Sequence, residues 1–298
     1  FDALICEAQV TSHRHFAAAT KGETITITTD LVKASIDTVG GELKRLELLK
    51  QPDVVDPTKN VVLFDSEPGH MYLAESGLIG GPFPNHKTIF TAQPGARSLD
   101  NGNEVQLVLV AEQGGVKLTK TYTFKRDSYL IDVKHTVTNT TGAAINPSLY
   151  LQLVRDGNKP GGESHFYSTF TGPAVYSSTE HFEKLDFEKI ANGKQQHVNK
   201  ADNGWIAMVQ HYFVSAFIPP QNAQRDIFSK KVGDNLYAVG SILPLGSVAP
   251  NASVTMDSQL YSGPTVSKTL QAIAPGLDLV RDYGHLTVIA EPIFWLMT

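Results

Sequence analysis

A chain of 298 residues with 41% hydrophobic and 18% charged side chains can bury a core, which excludes a disordered tail. The formal net charge of -5, with Lys and Arg scattered along the chain, gives no electrostatic footing for nucleic acid or an anionic surface. The single cysteine, Cys6, rules out an internal disulfide and a cysteine-built zinc site, and fits cytosol and bacterial periplasm equally.

Residues 1–22 show no period and carry His13 and His15; a linker or appended residues is the leading reading, a metal pair the other. From Glu23 to Thr29 β-branched residues alternate, as half-buried strands prefer, and a second strand follows from Leu31 to Ile36. Gly40-Gly41 bends the chain into a strand over Leu43–Leu48. Lys50 to Lys87 reads as turn-rich, with short strands at Val61–Phe64 and Met71–Leu73. A meander comes next. Val105–Ala111 is apolar enough for a strand buried on both faces, and Val116–Phe124 turns Val116, Leu118, Tyr122 and Phe124 to one side. Tyr129–Val137 points Tyr129, Ile131, Val133, His135 and Val137 inward, and Ile145–Leu153 repeats the period of two. His135 on that apolar face is expected to be a hydrogen-bonded core histidine, since catalysis would need a second ionisable group converging on it.

Ser177–Gly204 is the most polar stretch, studded with Phe182, Leu185, Phe187 and Ile190. It is expected to be a solvated hairpin that packs its apolar residues locally, or else a partner-binding lip. Trp205–Ile218 fits a helix by period alone, but its aromatic and β-branched content favours two central strands. Tyr237–Leu243 and Ser253–Tyr261 are further strands. Val266, Leu270 and Ile273 predict a helix over 265–274, stopped by Pro275-Gly276. The run Pro292-Ile293-Phe294-Trp295-Leu296-Met297 reads as the opening of an amphipathic helix, so the chain is expected to be a piece of a longer one. No nucleophile elbow, zinc, Walker or dinucleotide motif occurs, so no catalytic residue, metal or cofactor is predicted.

Several runs together resemble one family: Asp37-Thr38-Val39-Gly40-Gly41, Ser76-Gly77-Leu78, Lys120–Arg126, Phe170–Tyr176, Gly204–Phe213, Leu260–Pro264, Ala272–Leu279, Asp282-Tyr283-Gly284 and Pro292-Ile293-Phe294. In this order, from about Glu23 onward, they resemble the large periplasmic domain of the YidC membrane-protein insertases. The resemblance implies an all-β fold with minor α: a large antiparallel β-supersandwich like galactose mutarotases, with a C-terminal helical segment. Residues 23–262 would form the sandwich and 263–298 the segment leading to the membrane. It implies a non-enzymatic domain on the periplasmic side of the bacterial inner membrane, assisting insertion and folding of nascent inner-membrane proteins. Implied partners are SecF and SecD, the SecYEG translocon, and inner-membrane lipid through Ile293, Phe294, Trp295 and Leu296. A chaperone-like cleft for an extended peptide is also implied. The accessory-subunit contact maps onto 174–204, which makes Tyr176, Glu180, Phe182, Lys184 and Phe187 candidate partner-binding residues. The alternatives are a mutarotase-like carbohydrate-active enzyme and a carbohydrate-binding module.

Overall fold

The computed structural model describes residues 22–161 and 169–281. The expectations for His13, His15 and Ile293–Leu296 lie outside those residues. Chain order begins with β1 (Thr24–Thr28), β2 (Val32–Asp37), β3 (Glu42–Pro52), β4 (Asn60–Val62), β5 (Asp65–Glu67), β6 (His70–Ile79) and β7 (Thr91–Ala92). The meander is β8 (Glu104–Gln113), β9 (Val116–Lys125), β10 (Leu130–Asn139) and β11 (Ser148–Asp156). Then come β12 (Gly172–Ser177), β13 (His181–Lys184), helix α1 (Phe187–Ala191) and β14 (Lys200–Ala201). The final strands are β15 (Trp205–Gln210), β16 (Phe213–Ile218), β17 (Arg225–Gly233), β18 (Leu236–Pro244) and β19 (Ser253–Pro264). Helix α2 (Ser267–Ile273) and a 3-10 turn (Leu277–Val280) follow.

Alternation sorts these strands into two antiparallel sheets. Among the described residues the first runs β1-β2-β3-β6-β11-β18-β17-β14, and the second β13-β12-β15-β16-β19-β10-β9-β8-β7. Leu46, Leu149 and Leu151 of the first sheet meet Leu107, Leu118 and Val133 of the second in one shared core. Opposite parity puts Ala174, Ala207, Val214, Ala216 and Tyr261 on the far face of the second sheet, where α2 and the 3-10 turn cover them with Leu270, Ala274, Leu277 and Val280.

Four expectations need correction. Strand β8 is buried on one face only, because it lies near the sheet edge where nothing covers the outward Gln106. Strand β11 does not alternate: all nine of its residues are buried, since it sits mid-sheet with the core on one face and the chain around His86 on the other. The turn-rich reading of 50–87 took only Met71–Leu73 of the ten-residue strand β6, which runs on through the buried Glu75 and Ser76 to Ile79. Leu185 and Ile190 do not pack locally but enter the main core. Trp205–Ile218 is indeed two paired central strands, with Gln210 opposite Phe213.

Candidate functional site

The edge that carries the sequence-predicted partner residues also fastens the C-terminal segment. Trp205 is buried at the start of β15, and its indole N–H donates to the Pro275 carbonyl at 3.0 Å. Tyr176 on β12 stacks on that indole, with centroids 5.6 Å apart and planes 10° from parallel, while Phe182 on β13 packs against it at 6.0 Å. Gly276 ends the approach with φ 72°, and a Cβ there would run into the Tyr176 ring. Only glycine suits both that left-handed turn and that ring.

Phe187 opens α1, where the Asp186 carboxylate caps the Lys189 N–H at 2.9 Å, and its ring packs on Tyr237 at 4.7 Å. So Tyr176, Phe182 and Phe187 serve packing. Glu180, in the turn before β13, and Lys184 at its end are exposed at the outermost strand of the sheet, with the Lys184 ammonium 5.1 Å from the Phe170 ring centroid. The structure therefore brings Tyr176, Glu180, Phe182 and Lys184 to one edge and sets Phe187 round the corner.

Beside this edge, the outer face of the second sheet holds a groove of about 600 Å³. Its floor is Gln106, Thr121, Thr123, Lys125, Asp132, Lys134 and Gln259, and its walls are Ile218–Gln221 and Ile273–Pro275. Lys125 pairs with Asp132, which also accepts from Gln259 at 3.1 Å, so the floor is polar and already hydrogen-bonded. The groove residues come from six separate segments, a pattern that composition and motif do not flag.

A second cluster is buried. Lys120 crosses from β9 and donates to the carbonyls of Gly40 at 2.6 Å and Ser76 at 2.8 Å, with the Phe90 ring centroid 4.9 Å away. Burial pushes its ammonium down to about 8 against the pull of Glu42 and Glu75. Burial, then the Glu75 charge, raises Glu42 well above the usual carboxylate range, and its Oε1 has no hydrogen-bond partner among the described residues. Gln152 donates to Glu75 at 2.6 Å. His135 Nε2 lies 2.9 Å from Ser76 Oγ, whereas Nδ1 has no partner among the described residues. A serine-histidine contact with no carboxylate on Nδ1 and no opening to solvent does not assemble an activated nucleophile. Sequence reasoning missed Lys120, Glu42 and Glu75, although Lys120 has the same parity as Leu118 and Tyr122. Among the described residues, no group of three or more His, Cys, Asp or Glu side chains could hold a metal ion.

Burial, then the Lys120 charge, depresses His135 to about 3. The unfolded chain takes up this proton near the usual histidine value of about 6.5, so the group's contribution is present above that pH and is lost toward pH 3. Denaturant titrations of wild type and His135→Gln should therefore diverge on acidification. Wild type should lose up to about 1.4 kcal/mol per pH unit more than the variant in that window.

The family model described as the YidC periplasmic domain matches residues 24–296. The chain belongs to this family. Its sequence is 65% identical to the membrane protein insertase YidC of Janthinobacterium sp. (strain Marseille), over 94% of this chain and 50% of the relative. It is 60% identical to the membrane protein insertase YidC of Herminiimonas arsenicoxydans, with the same two coverages. The chain thus spans about half the length of the curated relatives it matches. In fold it is similar to a galactose mutarotase related enzyme from Lactobacillus acidophilus, with a TM-score of 0.52, covering 80% of this chain and 97% of that one. At 9% identity that likeness concerns the fold alone. Among the described residues no helix is long and apolar enough to cross a membrane.

Proposed function

We propose that this chain is the docking body of a YidC-type insertase, on the periplasmic side of the bacterial inner membrane. There it assists the insertion and folding of nascent inner-membrane proteins and makes or breaks no covalent bond itself. The Trp205–Pro275 clamp carries the reading, because it fixes the C-terminal segment, the β13 edge and the polar groove on one face of the second sheet. The groove takes an extended peptide, whose backbone the polar floor can hydrogen-bond. The β13 edge receives SecF, which brings SecD and the SecYEG translocon close, and Ile293–Leu296 reach inner-membrane lipid.

The test is a charge reversal on that edge. Deleting 177–200 would not be clean, since Leu185 and Ile190 belong to the core. Glu180→Lys combined with Lys184→Glu touches only exposed side chains, and surface changes of this kind stay within about 0.5 kcal/mol of wild-type stability. In the full-length insertase it should reduce co-purification of SecF about tenfold, as a loss near 1.4 kcal/mol gives. Wild-type recovery would reject the β13 contact.

A further inference from the structure

Three of the large hydrophobic side chains most exposed among the described residues gather near one another in the fold: Tyr212 (59% exposed), Val266 (50%) and Leu279 (49%). Tyr212 is at the tip of the β15–β16 hairpin. Its carbonyl accepts from the Thr265 N–H at 2.9 Å, which sets Val266 beside that tip. Leu279 lies on the 3-10 turn, and two residues later Arg281 donates to Ser267 Oγ at 3.1 Å, next to Val266. The last described residue, Arg281, is thus held beside this patch, and the sequence that follows contains Ile293-Phe294-Trp295-Leu296.

Two further observations mark the patch. Tyr212 has φ 69° at the second loop position of a two-residue hairpin, a place that ordinarily takes Gly or Asn. Among the described residues, five of the seven non-glycine residues with positive φ are Asn or Asp, so a tyrosine there is strained, and its ring stays exposed with only the neighbouring His211 ring against it, centroids 3.4 Å apart. The local charge also departs from the chain's acidic balance: Lys268 and Arg281 stand against Asp278 alone between 265 and 281.

We infer that Tyr212, Val266 and Leu279, flanked by Lys268 and Arg281, form a foot that rests in the interfacial layer of the lipid bilayer. An aromatic ring with a polar tip, aliphatic neighbours and a cationic rim match the boundary between headgroups and acyl chains. The inference rests on the reading that the segment after Arg281 leads to lipid, and adds that the folded body itself touches the membrane.

The experiment places an environment-sensitive fluorophore on Tyr212→Cys, Val266→Cys and, as the control, Val55→Cys, each with Cys6→Ser in the 298-residue chain. Val55 is exposed on the β3–β4 loop of the other sheet. The probe partners are vesicles of phosphatidylethanolamine and phosphatidylglycerol, with and without brominated acyl chains. The chain should float with the vesicles, and the probes at 212 and 266 should shift to the blue and be quenched by bromine, while the probe at 55 should not. Unlabelled Tyr212→Asn, which suits the left-handed turn and keeps the fold, should weaken vesicle binding about fivefold. Flotation with probes at 212, 266 and 55 behaving alike would overturn the foot and leave the lipid-directed segment standing. Failure to float would overturn both.

Discussion

Trp205→Ala should release the C-terminal segment while the sandwich stays folded. The substitution deletes a fully buried indole, for which about 3–5 kcal/mol is the usual cost, and it strands the Pro275 carbonyl that the indole N–H satisfies. The loss is local because the residues it supports, Leu270, Ala274, Leu277 and Val280, form a cluster on the outer face, apart from the core between the sheets. Hydrogen exchange should accelerate over Leu270–Val280 and stay slow in β10 and β11. Trp205→Phe separates the two causes: it keeps most of the apolar area but loses the donor, and should cost only about 1–3 kcal/mol. Exchange that rises evenly through both sheets in Trp205→Ala would show that the segment is part of the main folding unit.

The second large effect concerns the buried charges. Lys120→Met removes the donor to two backbone carbonyls and the cation facing Glu42 and Glu75, and breaking a buried pair from one side costs about 3–5 kcal/mol. Glu42→Gln should do the opposite near neutral pH, since it keeps the shape and removes a carboxylate that burial disfavours. The pH dependence gives the sign. Glu42 binds its proton more tightly folded than unfolded, so its contribution is complete below the unfolded value of about 4.5 and is lost as pH rises through the raised folded value. Lys120 acts in another window. Its folded value of about 8 lies below the unfolded 10.5, so its contribution is present above 10.5 and is lost as pH falls through 8. Urea titrations should therefore show a stability decline in wild type above pH 4.5 that Glu42→Gln lacks. A decline that survives in Glu42→Gln would place its source elsewhere.

Parts of this molecule were legible because one physical rule governs them. Strands β9 and β10 alternate, since each buries one face, and the helix after β19 follows from Leu270 and the Pro275-Gly276 stop. Strand β6 was legible only at Met71–Leu73, because Glu75-Ser76-Gly77 has the composition of a turn and is held in the strand by pairing with β11, where Gln152 stands opposite Glu75 and bonds to it. The candidate edge was half legible. Aromatic residues in a polar stretch drew notice to Tyr176 and Phe182, but not to their job of gripping Trp205, which depends on a glycine seventy-one residues away in sequence from that tryptophan. The groove was not legible at all, since its lining is brought together only when β8, β9, β10 and β19 lie side by side.

Strand β19 lies between β16 and β10 in the middle of its sheet and runs into the segment from which residues 282–298 depart. Tension arriving from that side meets the Arg281–Ser267 hydrogen bond and the buried 3-10 turn, then the clamp at Pro275. Once the clamp yields, the load is directed along the long axis of a twelve-residue strand held by a neighbour on each flank. Loaded lengthwise, the rungs on both flanks resist together, whereas an edge strand pulled sideways parts rung by rung. The body is thus arranged as a yielding latch in series with a stiff anchor.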